Sequence, residues 1–201
     1  MDRETVERAE FILERLGLTW ENLRGKLVLE IGAGSAEVSE VARKKGLSVV
    51  PLDPYPLLSP VVNAHGKALW ILLQSGITWE SLLAEMRLLE KSSESRRLAR
   101  LGYVQGDVRA LPFQDHVFDL VISHAGPLNN GWSLLPEQAA CGIHECLRVL
   151  KTGGELRTVP IFREDPHPTL LAYDKVGREY TLYGWKGSPL AAEHYLRMVK
   201  V

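Results

Sequence analysis

The segment Lys26-Leu27-Val28-Leu29-Glu30-Ile31 runs straight into Gly32-Ala33-Gly34 and then into a helical stretch, Ser35 to Lys45, closed by Gly46. A short, continuously apolar run ending in a glycine loop reads as a strand buried in a parallel sheet. Glycines between a strand and a helix let backbone N–H groups approach a ligand with no side chain in the way. Leu47-Ser48-Val49-Val50-Pro51-Leu52-Asp53 follows as the next strand, with Pro51 its one irregular residue. The unit is βαβ, and the rest of the chain has to suit a sheet that starts this way.

The alternation continues. Tyr103-Val104-Gln105 is a short strand, Val117 to Ser123 a stronger one, Leu134 to Leu150 a helix, and Glu155 to Ile161 the following strand. Between the last two, Lys151-Thr152-Gly153-Gly154 reads as a helix stop and turn, with no chemistry assigned to it. Strands alternating with helices predict an α/β, Rossmann-like three-layer sandwich whose mostly parallel sheet binds ligands at the carboxyl ends of its strands.

The 201 residues suit a single domain. An amphipathic helix from about Thr5 to Leu16, with Val6, Ala9, Leu13 and Leu16 on one stripe, makes residues 1–24 an N-terminal helical cap. Residues 54–102 carry two helical patterns, Val61 to Leu73 and Trp79 towards Leu101, where a plain αβ unit needs one; this reads as a helical insertion. At the end, Tyr180 to Trp185 and His194 to Val201 suit a closing antiparallel pair, with a short helix over Leu190 to Tyr195 as the competing reading.

Charge narrows the partners. With 24 basic against 25 acidic residues the net charge is -1, so no global positive field favours a nucleic-acid backbone. No apolar run is long enough to span a bilayer, and the charged first residues are unlike a secretion signal; the expectation is a cytoplasmic protein. Cys141 and Cys146 have no metal-type partners nearby and read as buried or partly buried free thiols.

The glycine loop alone suits several nucleotide ligands. Acids at successive strand ends sharpen it: Glu30 two residues before Gly32, Asp53 about 20 residues on, and Asp107 in Gly106-Asp107-Val108-Arg109. A dinucleotide explains Asp53 and leaves Glu30 and Asp107 idle. A ligand with a cationic ammonium, a ribose and an adenine amino group occupies all three, because ionised carboxylates accept short, charge-assisted hydrogen bonds.

With these pieces in place, the chain resembles the class I S-adenosylmethionine-dependent methyltransferases, in particular their small-molecule, type 11-like branch. The resemblance rests on Val28 to Gly34, Asp53, Gly106 to Phe113, Phe118 to Ser123 and Leu147 to Gly154, in the family's order over residues 26–161. It implies a seven-stranded sheet with the last strand antiparallel. It also implies S-adenosylmethionine as cofactor, with Glu30 near the methionine amino group, Gly32, Ala33 and Gly34 beside the methionine moiety, Asp53 on the ribose, and Asp107 and Val108 at the adenine. Ser123 and His124 would face cofactor and substrate. One residue departs from the pattern: Ala36 stands where the family often has a third glycine, and a modest change in loop geometry is expected.

His124 is the candidate general base, with a loop histidine satisfied by backbone as the plain alternative. Ser123-His124-Ala125-Gly126-Pro127-Leu128 lacks the Asn/Asp-Pro-Pro-aromatic sequence of amide- and nucleobase-methylating relatives. Asp119 reads as serving the entry to its strand. Trp70, Trp79 and Trp132 line an acceptor pocket or, the favoured reading, pack a core or a dimer contact. Arg96, Arg97 and Arg100 read as a solvated helix face. The expected function is metal-independent methyl transfer to a small organic acceptor, with a homodimer through the insertion as an associated expectation. The rivals are a non-catalytic cofactor-binding module and a nicotinamide-dependent oxidoreductase.

Overall fold

A computed structural model describes residues 3–55, 76–89, 93–124, 136–161, 180–184 and 194–200. In chain order its elements are α1 (Arg3–Arg15), a 3-10 turn (Trp20–Leu23), β1 (Leu27–Ile31), α2 (Glu37–Lys44), β2 (Ser48–Asp53), α3 (Trp79–Leu89), α4 (Ser93–Arg100), β3 (Val104–Gln105), β4 (Phe118–His124), α5 (Pro136–Val149), β5 (Leu150–Ile161), β6 (Tyr180–Gly184) and β7 (His194–Val199). The sheet order is β3-β2-β1-β4-β5-β7-β6. Neighbours from β3 to β5 pair in parallel, and β7 is antiparallel to both β5 and β6.

β1 sits inside this sheet, so both of its faces are covered, and its alternation decides what each face meets. Leu29 and Ile31 join Leu52, Val121, Ile143 and Leu147 in the core on the α5 side. Val28 joins Leu13, Leu16, Val38, Val41, Leu120 and Ile122 in the core under α1 and α2. The same parity puts Glu30 on the α1/α2 face, and on β4 it carries His124 to that face and turns Ser123 to the other.

α2 begins at Glu37, later than the sequence pattern suggests, because Ala36 adopts φ 58 and ψ 38, a left-handed conformation that keeps the loop going through Ser35 and Ala36. Glu37 and Glu40 in its first turn and Arg43 and Lys44 in its last complement the helix dipole. Pro51 is tolerated because β3 pairs only with Leu52 and Asp53.

Two readings are corrected. Lys151 to Gly154 is part of β5: Phe118 pairs with Leu150 and Leu120 with Glu155, so the extra residues form a bulge, closed by the Gly153 N–H to Lys200 (2.8 Å). Cys146 is buried, its thiol pKa pushed up by burial, but Cys141 is exposed. Asp119 serves the strand entry as expected, its carboxylate accepting from the Leu27 N–H and from Lys151, each at 2.8 Å. The Val61 to Leu73 pattern, Trp70, Trp132 and residues 190–193 lie outside the described residues, while His194 and Tyr195 open β7, so the short helix expected over Leu190 to Tyr195 does not reach its last two residues. No helix among the described residues is long and apolar enough to cross a membrane.

Candidate functional site

A cavity of about 230 Å³ opens between the end of β1 and α1. Glu30, Gly32, Ala33, Gly34 and His124 line it, together with Arg8, Ile12 and Leu16 of α1 and Glu37 at the start of α2. The loop is folded back on β2: the Gly32 and Ala33 N–H groups donate to the Leu52 carbonyl at 2.9 and 3.2 Å. Gly32 and Gly34 have φ of 68 and 52, which glycine adopts without a Cβ clash.

Glu30 is only 6% exposed, and its carboxylate accepts a 2.5 Å hydrogen bond from the Ser39 hydroxyl. Burial pushes its pKa up to about 8, with Glu37 and Asp53 adding to the rise and Ser39 offsetting part of it. A buried acid with one neutral donor and two acidic neighbours gains from a cation brought in from outside. This donor set fits an ammonium group.

Asp53 stands beside the cavity without lining it. Its carboxylate accepts from the Gly34 N–H at 3.3 Å and the Tyr55 N–H at 2.7 Å, and burial raises its pKa. Asp107, just beyond β3, is held by its neighbour Arg109 through the side-chain Nε (3.0 Å) and the backbone N–H (2.8 Å); these hydrogen bonds lower its pKa. Val108 is 3% exposed and packs in the α5-side core. Ser123 is fully buried and is not a cavity residue.

His124 reaches the cavity from the same face as Glu30. Phe11 meets it edge-on at 6.2 Å between ring centroids, and Arg15 stacks over Phe11 at 5.4 Å. Burial, with Arg15 adding, holds its pKa down to about 4, so the ring is neutral near pH 7. Its Nε2 is buried and has no hydrogen-bond partner among the described residues. A base this weak is poorly matched to removing a proton near neutrality.

Several contributors were not legible beforehand. Ser39 lies on α2 at no motif position, and Arg8 carries the α1 contribution. Arg8 makes two long ion pairs, 3.4 Å to Glu4 and 3.5 Å to Glu37. Arg97 is not part of a solvated face: it pairs with Glu40 and donates to the Ser35 carbonyl at 2.8 Å. Tyr103 donates to the Gly34 carbonyl at 3.0 Å. The helical spacing of Arg8 with the apolar stripe was the one available signal; the others depend on how α2 and α4 dock.

A mostly parallel α/β sheet with a glycine loop and strand-end acids defines a nucleoside-binding protein of Rossmann type. The family model for a methyltransferase domain matches residues 29–158, and the chain belongs to the class I S-adenosylmethionine-dependent methyltransferases. S-adenosylmethionine is that family's cofactor. Among curated relatives, a demethylmenaquinone methyltransferase of Renibacterium salmoninarum is 30% identical over 79% of this chain and 49% of its own. A ubiquinone/menaquinone biosynthesis C-methyltransferase of Xylella fastidiosa is 45% identical over 31% of this chain and 22% of its own. The chain thus spans about half the length of these relatives or less. Among solved structures, a sugar N-methyltransferase of Streptoalloteichus has a TM-score of 0.56 at 11% identity, covering 98% of this chain and 88% of that one. A magnesium protoporphyrin IX methyltransferase of Synechocystis with bound cofactor has a TM-score of 0.52 at 14% identity, covering 97% and 79%. These two likenesses concern the fold.

Proposed function

We propose that this chain binds S-adenosylmethionine with its amino-acid end in the cavity and transfers the methyl group to a small organic acceptor, a quinone-type ring methylated on carbon. The observation that carries the reading is Glu30, a buried carboxylate facing a cavity at the glycine loop, with its pKa raised to about 8 by burial. The cofactor supplies an electrophilic methyl group on a sulfonium, displaced in line. The chain's task is alignment and exclusion of water.

In this reading Glu30 accepts hydrogen bonds from the ammonium, and Arg8, on the α1 wall, exchanges its long pairs for the amino-acid carboxylate. Asp53 takes the ribose hydroxyls beside the Gly34 N–H it already holds. Asp107 and Val108 are assigned to the adenine edge, with the Asp107 carboxylate shared between Arg109 and the ring amino group. His124 contributes a neutral ring nitrogen that orients the acceptor. Ser123 is left to the core. The N-terminal helix and the 54–102 insertion cover the site, and the insertion is the expected homodimer contact, which light scattering on the purified chain tests.

The acceptor class is supported by the names of the curated relatives. The test is transfer of a labelled methyl group from S-adenosylmethionine to demethylmenaquinol, beside phenol and amine acceptors. Carbon methylation of the quinol is the expected result. Methylation of amines alone would overturn the acceptor class, and cofactor binding without turnover on any acceptor would favour the non-catalytic module.

A further inference from the structure

Ala36 occupies the loop position where a glycine is common, and there its backbone is left-handed, with φ 58 and ψ 38. An L-residue resists this conformation because its Cβ crowds the following carbonyl. The residue is fully buried and caps the start of α2, so the whole loop depends on its staying there. Its own N–H donates to the Ala33 carbonyl at 2.7 Å, a bond that closes the turn without relieving the Cβ contact.

The support comes from α4, the last helix before β3. Arg97 donates to the Ser35 carbonyl at 2.8 Å and pairs with Glu40 of α2, so one guanidinium ties the loop to the helix it leads into. Tyr103, just after α4, donates to the Gly34 carbonyl at 3.0 Å. Leu98 packs with Ala33 and Ala36 in a small core of their own, against which Met86, Leu101 and Tyr103 are packed. Two consecutive carbonyls and the alanine methyl are thus held from one side.

We propose that α4 is a latch for the cofactor loop, with Arg97 its positioning residue, and that the latch compensates for alanine in place of glycine at position 36. Arg97 touches no cofactor. It acts through the Ser35 carbonyl by keeping the Gly34 to Ala36 turn in the geometry with which Gly34 and Ser35 line the cavity. Cofactor affinity is therefore coupled to the docking of α4. The coupling to affinity rests on the cofactor reading above; the latch itself does not.

The test is a double-mutant cycle on the full chain, with S-adenosylhomocysteine titrated into the wild type, Arg97→Ala, Ala36→Gly and the double variant. Arg97→Ala is expected to weaken binding roughly tenfold when residue 36 is alanine, the size of one hydrogen bond to a charged donor, and by no more than about twofold when it is glycine. In turnover, KM for the cofactor rises more than kcat falls. Equal loss in both backgrounds, or no loss in either, overturns the proposal. A merely structural Arg97 would lower Tm equally in both backgrounds and leave no coupling in affinity. Should Arg97→Ala not fold, Tyr103→Phe enters the same cycle. Hydrogen exchange at the Ala36 amide reads the latch without ligand: it is expected to quicken in Arg97→Ala, and to do so less when position 36 is glycine. Unchanged exchange overturns the latch, whereas failure of the wild type to bind S-adenosylhomocysteine overturns the cofactor reading alone.

Discussion

Glu30 is the residue on which the site turns, and burial gives it a signature that can be measured. Between about pH 4.5 and 8 the folded chain holds a proton on Glu30 that the unfolded chain has lost. Its contribution to stability therefore falls as pH rises through that window, the reverse of an ion-paired carboxylate. Replacing it by the neutral isostere, Glu30→Gln, is expected to raise Tm at pH 8 relative to wild type and to narrow the difference at pH 5; thermal melts across this range read it. The same variant is expected to bind S-adenosylhomocysteine about 10- to 100-fold more weakly, since it loses a charge-assisted contact. Opposite signs for stability and affinity identify a residue kept for function. His124 carries a second prediction: with its pKa held down to about 4, the pH profile of kcat/KM has no acid limb near the ordinary histidine value. A limb centred near 6.5 would restore it as a base.

Elements explain which parts of the site could be read ahead of the fold. The positions of Glu30 and Asp53 beside the loop were legible because each stands at the end of a strand, where alternation and register leave little freedom. Ser123 lies away from the cavity for the same reason turned round: it neighbours His124 on β4, but one step along a strand reverses the face. Ser39 and Arg97 were illegible because their partners, Glu30 and Ser35, are fixed by how α2 and α4 pack, and helix packing leaves no local sequence mark. α1 was legible as an amphipathic stripe and as a cap over the site, but Arg8 on its cavity wall was not. Arg8→Ala on that wall is expected to weaken S-adenosylhomocysteine roughly tenfold and to spare 5′-methylthioadenosine, which lacks the amino-acid carboxylate. Equal effects on both ligands would move Arg8 out of the site. Asp119→Ala, by contrast, is expected to destabilise the chain by about 1–3 kcal/mol in denaturant titrations and leave ligand affinity alone, because its partners, Leu27 and Lys151, belong to the sheet.

At the scale of the molecule, the parallel sheet brings the ends of β1, β2 and β4 to one edge, and α1 closes over that edge. This arrangement was anticipated from the alternation of strands and helices, whereas the bulge at Lys151 to Gly154 was not, because a Gly-Gly pair serves a helix stop and an irregular strand equally well. The central claim is that the cavity receives a cationic amino acid at Glu30, and its most direct test is calorimetry of S-adenosylhomocysteine binding at pH 7 in buffers of different ionisation enthalpy. With the Glu30 pKa raised to about 8, binding the ammonium ionises an acid that is mostly protonated at this pH. The account predicts release of about one proton per ligand bound by the wild type and of none by Glu30→Gln. No binding at millimolar ligand, or the same proton count in both proteins, would contradict it.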